Sequence, residues 1–316
     1  MTSTRVAVIG GGRNCEHKVS LASAAAVADG LAEAGYEVVR LTIDPDGVWR
    51  ERENRPIGLA GAVHALRSCA AAFPVLHGPH GEDGTLAALC DLAEVPFVGS
   101  PLGAGALAMD KWATKLVAGA VGIGTAPAQL LTRGTAASYT FIRPVVVKPV
   151  AAGSSHGVTL VHSAPRLTAA LDAAFALDDR VLVEDLVIGR EIDVAVLGRP
   201  DGSRRVAPLL EIVVPEGEIF DHAAKYTGSP QFLVPAPLDE VARKHLEQAA
   251  VAMYDALGCA GVARVDFFLT EQGPVLNEVN TMPGFTAQSQ VPRMFAALGT
   301  SFHDLLDLLV RDALPA

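Results

Sequence analysis

The sequence predicts an α/β opening followed by an α+β remainder, and three observations carry that reading. An apolar run at 5–9 passes through Gly10-Gly11-Gly12 into a helix-forming stretch, the strand, turn and helix that begin an α/β unit. A second buried run at 72–76 ends in the polar loop His77-Gly78-Pro79-His80-Gly81-Glu82-Asp83-Gly84. Near the C-terminus, two β-branched and aromatic runs at 262–269 and 274–280 flank Thr270-Glu271-Gln272-Gly273, which predicts a β-hairpin.

A chain of 316 residues, half of them hydrophobic and 19% charged, is globular and long enough for two or three domains. Its net charge of -10, with no dense Lys/Arg cluster, argues against a nucleic-acid partner. Cys15, Cys69, Cys90 and Cys259 form no CxxC pair, so neither a disulfide framework nor a thiolate metal site is expected. A strand begins within a few residues of Met1, which leaves no room for a signal peptide, and the alanine-rich run at 22–34 is broken by charges well short of a membrane span. The expectation is a soluble cytoplasmic protein with no membrane partner.

In chain order, the first strand and glycine turn lead to a helix at 20–34 and a strand at 36–43. GxGxxG would suggest a dinucleotide, but Cys15 holds the third glycine position and Glu16 puts an anion where pyrophosphate should sit. Glu16 is better suited to receive an ammonium group. If the sheet is parallel, the loops beyond its strand ends place His77 and Glu82 in the same crevice as Glu16. A helix over Thr85–Leu92 and a short strand near 97–98 complete a first domain, 1–99, with Gly99-Ser100-Pro101 at its boundary.

The central domain, 100–186, opens with one helix running through Met109-Asp110-Lys111 to Gly119. A strand at 143–149 presents Lys148 at its end, immediately before Ala151-Ala152-Gly153-Ser154-Ser155-His156-Gly157. Small residues let such a loop fold its N–H groups over a phosphate chain while the lysine adds a point charge. An ordinary hairpin with a solvated lysine is the other reading, and GxxxxGK[ST] is absent. Strands at 181–184 and 189–197 put Glu184 and Glu191 on either side of a short connection, as expected where an edge strand reads an adenine and a carboxylate takes ribose hydroxyls. The last domain, 187–316, contains an aperiodic lid loop at 215–235 around Lys225-Tyr226-Thr227-Gly228, then helices at 238–257 and 302–311.

Alternation along the hairpin strands puts Arg264 and Asp266 on one face, with Glu278 and Asn280 on the matching face. A turn centred near Gln272 sets Asp266 opposite Glu278 and Arg264 opposite Asn280. Two facing carboxylates repel, and a cation between them relieves the repulsion; hard oxygen ligands suit Mg²⁺ or Mn²⁺. A solvated face whose charges pair casually is the alternative. The turn Asn280-Thr281-Met282-Pro283-Gly284 can present backbone N–H groups to an anion, and a helix follows Ser289.

Taken in order, GGGRNCEHKVSLAS, LHGPHGEDG, MDK, VVVKP with GSSHG, AKY, GVARVDF and LNEVNTMPGFTAQS resemble the D-alanine-D-alanine ligase family of the ATP-grasp superfamily, from Val6 to the C-terminus. The resemblance implies a Rossmann-like N-terminal domain and two ATP-grasp subdomains around one cleft. It implies that Lys111, Lys148 and Ser155 meet ATP phosphates, that Glu184 and Glu191 meet the adenosine, and that Lys225 reaches the γ-phosphate. Asp266, Glu278 and Asn280 would hold two Mg²⁺ (or Mn²⁺). Glu16 would bind the first D-alanine and join Ser154 and Tyr226 in a triad that shuts the lid. Arg264 and the Gly284 N–H would stabilise the oxyanion, Ser289 would hold the second carboxylate, and His77 would lie near the acceptor. A homodimer is the expected assembly.

Three departures stand out. Ala152 replaces an acidic residue common before the glycine-serine loop, and His156 stands where an apolar residue is usual. Gln290 follows Ser289 where D-alanine-adding relatives carry leucine, which makes it a candidate acceptor-site residue. The function implied is ATP-dependent joining of two D-alanines through an acylphosphate, for peptidoglycan. Its rivals are a relative using D-serine, D-lactate or another amine as second substrate, and a nucleotide-binding module without catalysis.

Overall fold

The structure, a computed structural model, describes residues 3–213 and 231–315. The first of its three sheets is built from β1 (Arg5–Gly11), β2 (Glu37–Ile43), β3 (Trp49–Glu51), β4 (Arg55–Pro56) and β5 (Ala71–Pro74), in the order β4-β3-β2-β1-β5. β1 pairs in parallel with both β2 and β5, so the chain leaves β1 and β5 at the same edge of the sheet. Side chains of β1 alternate between two cores: Val6 and Val8 pack with Val27, Leu31 and Phe73, whereas Ala7 and Ile9 pack with Leu41, Leu66 and Leu86. Burial on both faces explains why this strand is apolar at every position rather than every second one.

Helix α1 (His17–Glu33) starts before the expected position and lies so close to β1 that a Cβ on Gly10 would sit 2.4 Å from Ala24. α2 (Gly58–Arg67) and α3 (Thr85–Leu92) complete this part. The strand expected near 97–98 is reduced to a single parallel bridge, Ala72 to Phe97.

The helix expected through Met109-Asp110-Lys111 is two helices, α4 (Leu102–Met109) and α5 (Lys111–Ala120). Asp110 breaks it: its backbone is extended, and its carboxylate accepts from the Ala113 N–H at 2.9 Å, capping α5. Ala104, Ala108 and Ala118 share a core with Ile192, Val194, Met253 and Phe267, so this segment packs on the C-terminal sheet.

β6 (Gly124–Thr125) joins that same C-terminal sheet. The second sheet has the order β7-β10-β8-β9, from β7 (Ala128–Thr132), β8 (Val145–Pro149), β9 (Thr159–Val161) and β10 (Arg180–Asp185), with α6 (Leu167–Phe175) against it. β10, which carries Glu184, is not an edge strand as expected; it pairs with β7 on one side and β8 on the other.

The third sheet runs β14-β13-β11-β15-β16-β6, from β11 (Arg190–Gly198), β13 (Leu210–Val213), β14 (Gln231–Leu233), β15 (Gly261–Thr270) and β16 (Gly273–Asn280), with β12 (Arg204–Val206) beside β11. β14 falls inside the stretch expected to be a loop, where it pairs with β13; Lys225 and Tyr226 lie outside the described residues. Helix α7 (Glu240–Leu257) covers one face. On the other, α8 (Gln290–Ala296) and α9 (Phe302–Ala313) share one core with the first sheet: Phe295 and Leu305 join Val6, Phe73, Ala195 and Val262. That common core holds the loops of the first sheet over the strand ends of the third. Among the described residues, no helix is long and apolar enough to cross a membrane.

Candidate active site

The hairpin closes at Thr270 opposite Gly273, and regular pairing continues to Phe267 opposite Leu276. Beyond that point Asp266 pairs with Glu278 and Arg264 with Asn280, so Asn277 is an extra residue, a β-bulge. Without the bulge, Asn277 would face Asp266. The expected opposition of the two carboxylates is therefore present, but a bulge that spacing did not reveal produces it.

On its other edge β15 pairs with β11, where Asp193 stands opposite Asp266 and Ala195 opposite Arg264. Three carboxylates, Asp193, Asp266 and Glu278, thus form a row across three neighbouring strands. Asp193 is fully buried and Asp266 nearly so. Burial and then the Asp266 charge push the Asp193 carboxyl well above the usual range. Arg264 is the compensating cation. Its Nε and Nη2 donate to the two oxygens of Asp266 at 2.7 Å each, and Nε lies 3.5 Å from Asp193 Oδ2. Burial works against the guanidinium charge, but Asp266 and Asp193 outweigh it and hold its pKa above the ordinary value.

Gln290, at the start of α8, links the two ends of this group. Arg264 Nη1 donates to its Oε1 at 2.7 Å, and its Nε2 donates to Asp193 Oδ2 at 2.7 Å. Asp193 escaped sequence reading; the available signal was a carboxylate in the middle of an otherwise apolar strand, two residues from Glu191 on the same face.

Asp266, Glu278 and Asn280 are all hard oxygen donors and lie on one face, which fits Mg²⁺. Both Asp266 oxygens are turned onto Arg264, and Asn280 Nδ2 donates to Oδ2 at 2.9 Å. Among the described residues, no group of three His, Cys, Asp or Glu is gathered as a metal cluster. Asp266 Oδ1, which accepts from Arg264 Nε, keeps a second lone pair for a cation.

The lysines expected at phosphates are docked on carboxylates. Lys148, at the end of β8, lies 2.6 Å from Glu184 Oε2, and Lys115 lies 2.8 Å from Oε1. Burial would raise the Glu184 pKa, but Lys148 and Lys115 outweigh it and lower it. Lys115, which also donates to Ala126 O at 2.8 Å, was missed; it follows Lys111 by four residues and so shares its helix face. Lys111 donates to Ala152 O at 2.9 Å and lies 3.3 Å from Glu278 Oε2, joining the glycine-serine loop to the hairpin. In that loop Ser154 and Ser155 both adopt left-handed backbone, φ 48° and 55°. Glu191 lies farther off, near the start of β11, paired with Phe268 and Ile212.

Ser154 Oγ donates to Glu16 Oε1, which ties the second sheet to the loop after β1. Glu16 is buried, and its Oε2 has no hydrogen bond among the described residues. Two glycines make room for it: a Cβ would lie 2.0 Å from Oε2 at Gly153 and 2.6 Å at Gly78.

His77 Nδ1 is 2.9 Å from Met282 O, so that nitrogen carries the proton; Nε2 is 3.3 Å from Ser23 Oγ. Burial lowers its pKa, in keeping with a neutral ring. Glu82 Oε2 accepts from Gly78 N at 2.7 Å and Oε1 from Met282 N at 3.2 Å; burial, then the Glu16 charge, push this carboxyl up to about 8. Both residues fasten the 77–84 loop to the turn after β16. Past that turn, Ser289 Oγ accepts from Thr286 N at 3.0 Å, and a Cβ on Gly284 would lie 3.3 Å from it, so Gly284 and Ser289 are neighbours. Glu82, Lys111, Gly153, Glu278 and Asn280 bound a small, partly open recess between the loops.

A family model described as D-ala D-ala ligase N-terminus matches residues 5–100, and one described as D-ala D-ala ligase C-terminus matches residues 121–311. The D-alanine–D-alanine ligase of Mycolicibacterium smegmatis is 39% identical over 356 residues, spanning 98% of this chain and 95% of its own. That of Nocardia farcinica is 40% identical over 351 residues, spanning 98% and 97%. Among solved structures, the VanG D-Ala:D-Ser ligase from Enterococcus faecalis superimposes with a TM-score of 0.86 at 34% identity, covering 99% of this chain and 100% of that one. The D-alanine-D-alanine ligase from Coxiella burnetii gives 0.82 at 30% identity, covering 98% and 95%.

Proposed function

The chain belongs to the D-alanine–D-alanine ligase family, and from that premise we propose that it joins two D-alanines into D-alanyl-D-alanine, with ATP converted to ADP, for peptidoglycan synthesis. The observation that carries the reading is Asp266 facing Glu278 beside Arg264 and Asn280, with Glu278 and Asn280 lining one recess together with Lys111 and Gly153.

A carboxylate is a poor electrophile, so the first D-alanine must be activated as an acylphosphate. Glu16 receives its ammonium, using the Oε2 oxygen that has no hydrogen bond among the described residues. Lys111, Lys148, Ser155 and Lys225 take the phosphate charge, with Glu184 and Glu191 on the adenosine side. Two Mg²⁺ (or Mn²⁺), which Asp266, Glu278 and Asn280 would hold, supply further charge neutralisation when bound. The second amine then attacks the activated carbonyl while Ser289 holds its carboxylate. Three of the five Arg264 N–H groups are engaged by Asp266 and Gln290, and two have no hydrogen bond among the described residues. Those two, with the Gly284 N–H, meet the developing oxyanion, where one such donor is worth about 3 kcal/mol. The acylphosphate must be kept from water, a role the sequence assigns to the stretch around Lys225 and Tyr226, which lies outside the described residues. His77 acts on the acceptor side through its hold on Met282.

Mass spectrometry of products formed from ATP, Mg²⁺ and a mixture of D-amino acids and D-lactate tests this; D-alanyl-D-alanine is the expected main product. No D-alanine-dependent ADP formation would leave a non-catalytic ATP-binding module. Use of D-serine as second substrate is the runner-up, favoured by polar Gln290 and by the likeness to a D-Ala:D-Ser ligase. Competition between equal D-alanine, D-serine and D-lactate, repeated in Gln290→Leu, decides it. The enzyme acts in the cytoplasm, where ATP is supplied, and its four thiols are unpaired, as suits a reducing compartment. Assembly as a homodimer belongs to the same reading, and light scattering measures it.

A further inference from the structure

We propose that Asp193 and Gln290 are positioning residues for Arg264, a clamp that aims its two remaining N–H groups at the reacting carbonyl oxygen. This rests on the ligase reading of the site. Asp266 is also a candidate metal ligand, and a cation bound to either of its oxygens competes electrostatically with the guanidinium for the same carboxylate. A second anchor holds the arginine by a different nitrogen: Arg264 Nη1 donates to Gln290 Oε1, and Gln290 Nε2 donates to Asp193 Oδ2, at 2.7 Å each.

The charges on either side fix the orientation of the Gln290 amide. Its oxygen must face the guanidinium and its NH₂ the carboxylate, since the flipped amide would set donor against donor and acceptor against acceptor. Glutamine alone combines this reach with one acceptor and one donor. Leucine would make neither bond, and glutamate would set a second negative charge against Asp193. Asp193 has no exposure and lies on the central part of β11, so the anchor is rigid. One donor and one acceptor position of the Gln290 amide are held by these partners, so its influence on the acceptor runs through Arg264 as well as through the polarity of the wall.

The test is steady-state kinetics on Gln290→Met, Asp193→Asn and the double variant, with unfolding temperatures measured in parallel. Gln290→Met keeps the length and loses both hydrogen bonds. An arginine that acts only on the oxyanion should lower kcat and leave ATP binding alone, so kcat is expected to fall about tenfold with the KM for ATP unchanged. The double variant should fall no further than Gln290→Met alone, because the two residues act as one unit. Unchanged kcat in Gln290→Met, a loss expressed in the KM for ATP, or additive losses in the double variant would each overturn the clamp. If Asp193→Asn does not fold, Gln290→Met decides by itself. Wild-type protein without D-alanine-dependent ADP formation would instead overturn the ligase reading, and the clamp with it.

Discussion

Asp266 faces Glu278 across the hairpin because Asn277 is one residue more than the pairing can use. The bulged residue is not idle: Lys148 Nζ lies 3.4 Å from its Oδ1, so the same irregularity that aligns the carboxylates ties Lys148 to the hairpin. Lys111 reaches Glu278 at 3.3 Å from the other direction. Carboxylates and cations therefore neutralise one another here, and the proposed reaction has them exchange these partners for ligands.

Glu278→Gln tests the carboxylate. It removes the charge at nearly constant volume, so turnover is expected to drop by at least roughly a hundredfold while the fold survives. ADP release at saturating Mg²⁺, with the unfolding temperature as control, is the measurement; wild-type turnover would remove Glu278 from the site.

Gly153→Ala probes the contact between the glycine-serine loop and Glu16. Its Cβ would fall 2.0 Å from Glu16 Oε2, so the loop and the carboxylate must separate. Overpacking of this kind costs about 1–3 kcal/mol. The KM for the first D-alanine should rise about tenfold, and the urea midpoint should fall in keeping with that cost. An unchanged KM would show that Glu16 does not receive that substrate.

Lys115→Met addresses the residue that sequence reading overlooked. Lys148 cannot leave Glu184 for a phosphate unless another cation stays behind, and Lys115 is that cation, its side chain 8% exposed. Removing it should cost about 1–3 kcal/mol of stability, since Lys148 still pairs the buried carboxylate, and should raise the KM for ATP severalfold. Urea denaturation and ATP titration read the two effects separately; a stability loss with unaltered ATP dependence would make Lys115 a structural ion pair only.

Glu82→Gln concerns pH. The folded protein holds the Glu82 proton up to about pH 8, whereas the unfolded chain releases it near the ordinary value of 4.5. Below 4.5 both states are protonated and the contribution to stability is fully present. Between the two values only the folded state binds the proton, so stability drains at about 1.4 kcal/mol per pH unit until the folded state also ionises, beside Glu16 and Glu278. Wild-type unfolding temperature should thus fall from pH 5.5 to 8.5 more steeply than that of Glu82→Gln. Parallel curves for the two proteins would show that Glu82 does not titrate in this window.

What the sequence by itself determined is whatever local spacing can carry. The hairpin, the shared face of Arg264 with Asp266 and of Glu278 with Asn280, and Lys148 ahead of its glycine loop follow from alternation along strands and from glycine-marked turns, whereas the bulge at Asn277 is what brings the two faces together. Tertiary structure decided what those groups touch. Asp193 enters the carboxylate row only because β11 lies beside β15, and Lys115 reaches Glu184 only because α5 lies near β10. The residues at 102–120 read as one helix of the central domain, yet the cap at Asp110 splits them and their alanine faces fit the C-terminal sheet. Gln290 looked like a free polar side chain at the acceptor, whereas its amide lies between Arg264 and Asp193. The physical reason is common to all of these: periodicity assigns a face, but a buried charge takes whichever partner distant parts of the chain bring within about 3 Å, and no spacing rule encodes that choice.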